Sequence, residues 1–347
     1  MLLGTLQQFY IDPATFFVLL ATAGLILFFV LAALVTPLLG AVTETFYALE
    51  QKSFYDKCAL QITQAAFGLG VFVFFALGAW VTYCIATLPP EMLAAHAHAS
   101  VPPGQSAGMF ARLCAQFGPL LFFVAPLKGL IFLGFYWSTW SVLKQRRALH
   151  LLLGWSAALS MLGALFCYLL IFSNWHVFMV RMFLLDNLLL GPLPVLLDLL
   201  PDFFSSPSAP LIFLGLVCTG LAAGASLSQL WLIMRRFKTD YGRDYYAFAM
   251  RYCARVALAF TLAATLIVGT LLLLLRHYIP AQLTDIRDLG VLSIAVGLPL
   301  ACCLLWLGIA KSENPLRHKP SAFLACVFLF MALCAQLLIL LSTFHPT

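Results

Sequence analysis

The sequence predicts an all-α fold, a polytopic membrane helical bundle of about eight transmembrane helices. Three observations predict it. Of 347 residues, 63% are hydrophobic and only 9% are charged. Soluble domains carry roughly 25% charged residues, and so few charges cannot cover a water-facing surface. Eight apolar runs each reach the about 20 residues that a spanning helix needs. Finally, the basic residues gather in alternate links between those runs.

The runs fall at residues 14–41, 59–88, 117–143, 149–173, 209–234, 252–275, 289–311 and 321–343, read as one transmembrane domain over 1–347. No basic stretch precedes the first run and no small-residue cleavage site follows it. It is expected to be a retained helix rather than a signal peptide. Links after odd-numbered runs hold Lys52 and Lys57, then Lys144, Arg146 and Arg147, then Arg235, Arg236, Lys238 and Arg243, then Lys311, Arg317 and Lys319. Links after even-numbered runs hold only Arg112, Arg181, Arg276 and Arg287. The positive-inside rule then puts both termini on the outer side. In a bacterial inner membrane that side is the periplasm.

Two links are long. Residues 89–116, with Pro, His, Ser and Gly, read as an external loop. Residues about 176–200 are apolar but broken by Pro192 and Pro194, and read as an interfacial segment on the outer face. No segment is large enough for a soluble nucleotide- or cluster-binding domain. The net charge of +6 reports orientation and is no sign of nucleic-acid binding. Ten scattered cysteines form no C-x-x-C pair, so neither a disulfide framework nor a metal knuckle is read.

Several stretches, taken in order, resemble subunit I of cytochrome bd quinol oxidases. The first is "LVTPLLGAVTETFYALEQKSFYDKCALQITQAAFGLGVF", with Glu44, Thr45, Tyr47, Tyr55, Asp56 and the run Phe67 to Gly70. "KGLIFLGFYWSTW" resembles the family's third helix, and "HLLLGWSAALSMLGALFCYLLIFSNW", with His150 and Trp155 five apart, resembles the fourth. "VRMFLLDNLLLGPLPVLL" is similar to the external segment before the fifth. "LVCTGLAAGASLSQLWLIMRRF" and "RDYYAFAMRYCARVALAF" resemble the fifth and sixth. The likeness covers roughly the first 275 residues.

The resemblance implies a respiratory electron-transfer subunit that handles membrane quinol and carries haem. The chain departs from it where haem is held. A b-type haem needs axial His or Met ligands. The family has a His in its first helix and another near the start of the fifth. The matching places here are near Ile26 and between Pro210 and Phe213, and neither helix contains His. The family's third-helix carboxylate is replaced by Lys128, of opposite charge. The family's long quinol-contacting loop after helix six is reduced to "RHYIPAQLTDIRDLG". Oxygen reduction by this chain, and haem b at the family's sites, are therefore not expected.

Candidates for a quinone or haem vicinity are Lys128, Glu44, Trp155, His176 and His277. A charge such as Lys128 inside a spanning helix costs about 2.5–3.5 kcal/mol and needs a partner, a cavity or an anion. The blander reading is a structural pair with another helix or subunit, or snorkelling. His176 and His277 read first as interfacial histidines, and His96 and His98 as loop composition. Gln61 and Gln64 share a helix face and read as interhelical hydrogen-bonding groups. Arg251 and Arg255, at i and i+4, read as lipid anchors or as partners of Asp240 or Asp244. Phe135, Tyr136, Trp137 and Trp140 read as packing before a quinone slot.

The expected function is an integral membrane subunit of a respiratory electron-transfer complex. It is haem-free and acts as a membrane anchor or quinone-interacting subunit. Its expected partners are other membrane or periplasmic subunits of a redox complex and membrane lipids, with no nucleic acid, no metal and at most a membrane quinone as cofactor. Alternatives are a haem-bearing quinol oxidase subunit with relocated ligands, a transporter or channel, and a purely structural assembly subunit. No matched pair of Gly/Pro-broken helices signals an inverted repeat, which weighs against transport.

Overall fold

The computed structural model describes residues 13–87, 124, 126–173, 201, 204–205, 208–239, 241–275 and 286–343. Among these residues the chain is all helical. In chain order the helices are α1 (Pro13–Glu50), α2 (Ser53–Thr87), α3 (residues 126–138), α4 (Arg147–Ser173), α5 (Ser208–Arg235), α6 (Arg243–Leu275), α7 (Ile286–Lys311) and α8 (Lys319–Thr343). Short 3-10 turns at Leu143–Gln145 and Pro315–Arg317 precede α4 and α8. Seven of the helices, all but α3, are long and apolar enough to cross a membrane. The chain is a multi-pass membrane protein of helical type. Of the run expected at 117–143, residues 126–138 are described as helix.

Helices α1 and α6 are longer than their apolar runs. The stretch expected to be a link, residues 43–57, is helix except for Gln51 and Lys52. Nothing in "TETFYALE" stops a helix, since it holds neither Gly nor Pro. With 38 residues, α1 extends about 57 Å at 1.5 Å per residue, well beyond an apolar layer of about 30 Å. Its last turns therefore carry polar residues out of the bilayer. Gln51 reverses the chain with φ of 60°, the left-handed region. Its N–H donates to the Tyr47 carbonyl at 2.9 Å and its Nε2 donates to that of Ala48 at 3.0 Å. Together they cap the end of α1. Next to it, Lys52 pairs with Glu50 at 2.7 Å in the open, and that carboxylate raises the lysine pKa.

The contacts divide the chain into two compact units, Met1–Ala66 with Leu214–Thr347, and Phe67–Phe213. In the first unit α6 packs on α7, α7 on α8, and α8 on α1. Helix α5 has the largest buried share of the seven spans. Its buried face is built of small residues, among them Gly220, Ala222, Ala223, Gly224 and Ala225. Lipid tails are as apolar as leucine, so helices in a bilayer associate through close packing rather than hydrophobic burial. Small residues allow that closeness. A Cβ added to Gly220 would lie 2.6 Å from Val35 Cγ2 and 2.9 Å from the Leu31 carbonyl oxygen, and one added to Gly224 would collide with Thr36. The α1–α5 seam is thus packed to contact.

In the second unit α3 lies on α4. Tyr136 is fully buried against Gly154 and stacks on His150, with ring centroids 4.5 Å apart. Trp140 meets the same imidazole edge-on at 4.7 Å. Phe67, from the α2 segment of this unit, packs on Trp137 at 5.2 Å. Tyr136 is thus a packing residue, whereas Phe135 and Trp137 remain exposed.

Candidate functional site at the basic end of the bundle

In the first unit, three links meet at one end: the α1–α2 turn, residues 236–239 with 241–242, and residues 312–318. Polar side chains fasten them. Tyr245 donates to Gln61 Oε1 at 2.7 Å, and Gln61 Nε2 donates to Thr239 Oγ1 at 3.3 Å. Tyr246 donates to the Thr239 carbonyl at 2.6 Å. Arg235 reaches Gln64 at 3.0 Å, and Gln229 reaches the Met250 carbonyl at 3.0 Å. Arg251 donates through Nε and Nη2 to the carbonyls of Ser312 and Glu313, at 3.2 and 2.9 Å. Arg243 donates to Asn314 at 2.6 Å. Lys57 lies over the Tyr241 ring and Lys319 over Phe237. Gln61 and Gln64 therefore bridge helices, as read from their shared face. Burying Gln61 and Tyr245 unpaired would cost about 1–3 kcal/mol for each unsatisfied group.

Beside this network a cavity of about 360 Å³ opens between the first turn of α2 and one face of α6. Phe54 and Tyr55 line it on one side, and Phe248, Arg251, Tyr252 and Arg255 on the other. The rings interlock. Tyr55 meets Phe248 edge-on at 5.0 Å and Tyr252 at 5.8 Å, and Phe248 stacks on Tyr252 with planes 13° apart. Tyr252 is anchored from behind by Thr43, 2.9 Å away. Asp244 lines the same cavity. It pairs with neither arginine, contrary to one of the expected pairings, because no carboxylate of a described residue lies within 4.0 Å of Arg251 or Arg255. Asp240, the other expected partner, lies outside the described residues.

The residues singled out in the sequence are dispersed. Glu44 is buried in the first unit near the end of α1. Lys128 and Trp155 belong to the second unit, the first exposed on α3 and the second half-buried on α4. His176 and His277 lie outside the described residues, as do His96 and His98. On α3 the exposed stripe is Leu127, Lys128, Ile131 and Phe135, at helical spacing. Lys128 sits about 15 Å before the helix ends at residue 138. No described residue gives it a hydrogen bond or ion pair. The sequence reading missed the cavity because its two walls are almost 200 positions apart. Of the α6 half, only Arg251 and Arg255, at i and i+4, are read from the sequence.

The residues present do not fit a haem at the places the resemblance implies. Helices α1 and α5 hold no histidine. One to two turns from those places, residues 31–36 of α1 are packed to contact against Gly220 and Gly224. His150 is buried with Nε2 3.0 Å from the Tyr136 carbonyl. A carbonyl only accepts, so Nε2 carries the proton and is engaged there. Among the described residues, no group of three or more His, Cys, Asp or Glu residues is arranged to hold a metal ion. Compared with protein-family models, curated proteins and solved structures, the chain matches none.

Proposed function

We propose that the chain is a haem-free integral membrane subunit of a respiratory electron-transfer complex, acting as a membrane anchor or quinone-interacting subunit. The ordered likeness to cytochrome bd subunit I supports the class. In this reading both termini face the periplasm of a bacterial inner membrane, and the basic end described above faces the cytoplasm. The observation that carries the anchor role is Lys128. It lies on an outward apolar stripe, and no described residue neutralises it. Its replacement of the family's carboxylate removes an iron-ligating or proton-relaying group and supplies a cation. An ammonium at that depth needs an acidic group on a partner helix or a quinone carbonyl.

The deciding experiment is a reduced-minus-oxidised spectrum with a pyridine haemochrome assay on the purified chain. The expected outcome is no haem in a chain that stays folded. Near-stoichiometric haem would overturn the haem-free reading and favour relocated ligands. A second arm compares Lys128→Ala with the unsubstituted chain in cell membranes. Unaltered folding with loss of co-purifying redox subunits, or of quinone, is expected. Full retention of both would remove Lys128 from the proposed interface.

A further inference from the structure

The cavity beside α6 holds a cation, Arg255, that the bundle itself does not pair with any described residue. Its α6 wall is one continuous stripe, Asp244, Phe248, Arg251, Tyr252 and Arg255, at three- and four-residue spacing. The opposite face, with Tyr245, Ala249, Cys253 and Ala257, is fully buried. The stripe is therefore held rigidly by the core behind it while remaining open in front.

We propose that this cavity binds the phosphate ester of an anionic membrane lipid between Arg251 and Arg255, with Tyr55, Phe248 and Tyr252 walling the headgroup. Charge gives the first reason. Two guanidinium groups lie one helical turn apart and no described carboxylate pairs with either. Arg251 is fixed by its two bonds to the 312–313 carbonyls, so it is pre-oriented. Arg255 is exposed and makes no contact with a described polar group. The planar guanidinium of Arg255 can meet phosphate oxygens two at a time, while Arg251, whose Nε and Nη2 are engaged, keeps Nη1 to donate. The Tyr55 hydroxyl, also without a hydrogen-bond partner among the described residues, adds a neutral donor at the wall.

Depth gives the second reason. After Arg255, α6 runs without a charge from Val256 to Leu275. At 1.5 Å per residue that stretch is about 30 Å, the thickness of the hydrocarbon layer. Arg255 therefore stands where the apolar layer ends and lipid phosphates lie. Size gives the third. A cavity of about 360 Å³ is near the small end of ligand sites, which suits a headgroup whose acyl chains remain in the bilayer. The same phosphate-ester chemistry could be offered by a water-soluble glycerol phosphate, and the test separates the two sources.

The test is native mass spectrometry of the full chain in detergent, titrated with phosphatidylglycerol or with phosphatidylcholine of the same acyl chains. The unsubstituted protein should retain phosphatidylglycerol about fivefold more strongly. Arg255→Gln should abolish that preference, while Lys238→Gln, which removes an exposed cation at the same end but outside the cavity and its supporting bonds, should preserve it. A thermal unfolding midpoint for Arg255→Gln in phosphatidylcholine equal to that of the unsubstituted chain excludes loss of fold as the cause. No preference in the unsubstituted chain, or one that survives Arg255→Gln, would overturn the proposal. Equal loss in Lys238→Gln would do the same, by making the effect one of general surface charge. sn-Glycerol 3-phosphate, added alone, should not bind measurably. If it bound as tightly as phosphatidylglycerol, the membrane would be overturned as the source of the phosphate.

Discussion

The α1–α5 seam and the α2–α6 cavity belong to the same unit, share neighbouring helices and solve opposite problems. At the seam, glycine and alanine on α5 let α1 approach until a single added carbon has nowhere to go. At the cavity, large rings and two arginines hold α2 and α6 apart and leave a volume open. The contrast sets a close-packed seam beside an open cavity within one unit.

The contrast is most sharply tested by filling the seam. Gly220→Leu would drive a side chain into Val35 and into the Leu31 backbone, which cannot rotate away. A loss of about 3 kcal/mol is expected, at the upper end of overpacking costs. Chemical unfolding in detergent micelles measures it. A loss under about 0.5 kcal/mol would mean that the seam is slack and that α1 and α5 are not held by close packing.

A smaller effect is expected from the network behind the cavity. Tyr245→Phe removes the donor to Gln61 Oε1 and leaves that buried oxygen facing a ring edge. The expected cost is about 2 kcal/mol, within the range for a buried acceptor left unsatisfied. In the Gln61→Leu background the same change should cost about 0.5 kcal/mol or less, because the acceptor is already gone. Equal costs in both backgrounds would show that the two residues act independently. The links at the basic end would then be held by their other contacts.

Much of this arrangement was legible in the sequence, and the reasons are physical. Apolar length alone determines that a segment spans a bilayer, so seven of the eight expected runs reappear as long apolar helices. The ends of α1 and α6 were misread because hydropathy marks where the bilayer stops, and a helix need not stop there. The residues that bridge helices were partly visible. Gln61 and Gln64 share a face whatever packs against them, but their partners Tyr245 and Arg235 lie far along the chain. The cavity was invisible for the same reason. Tyr55 and Tyr252 become neighbours only when α2 lies beside α6, and no local pattern encodes that pairing.

The smallest expected effect lies at the turn on which both regions depend. Gln51 sets the geometry between α1, which forms one side of the seam, and α2, which forms one wall of the cavity. It does so in a left-handed conformation, φ 60°, that costs a residue with a Cβ about 1 kcal/mol. Its amide bond to the Ala48 carbonyl offsets part of that cost. Gln51→Gly removes the Cβ penalty but also removes this hydrogen bond and loosens the unfolded chain. The net expectation is a gain of about 0.5 kcal/mol, read as a raised unfolding midpoint in detergent. A loss of about 0.5 kcal/mol or more would assign the turn to the Gln51 side-chain bond rather than to backbone geometry. The seam and the cavity would then share a side-chain clasp at their common end. A gain would leave backbone geometry as what sets the turn, with the Thr43–Tyr252 bond as the side-chain tie between α1 and the cavity.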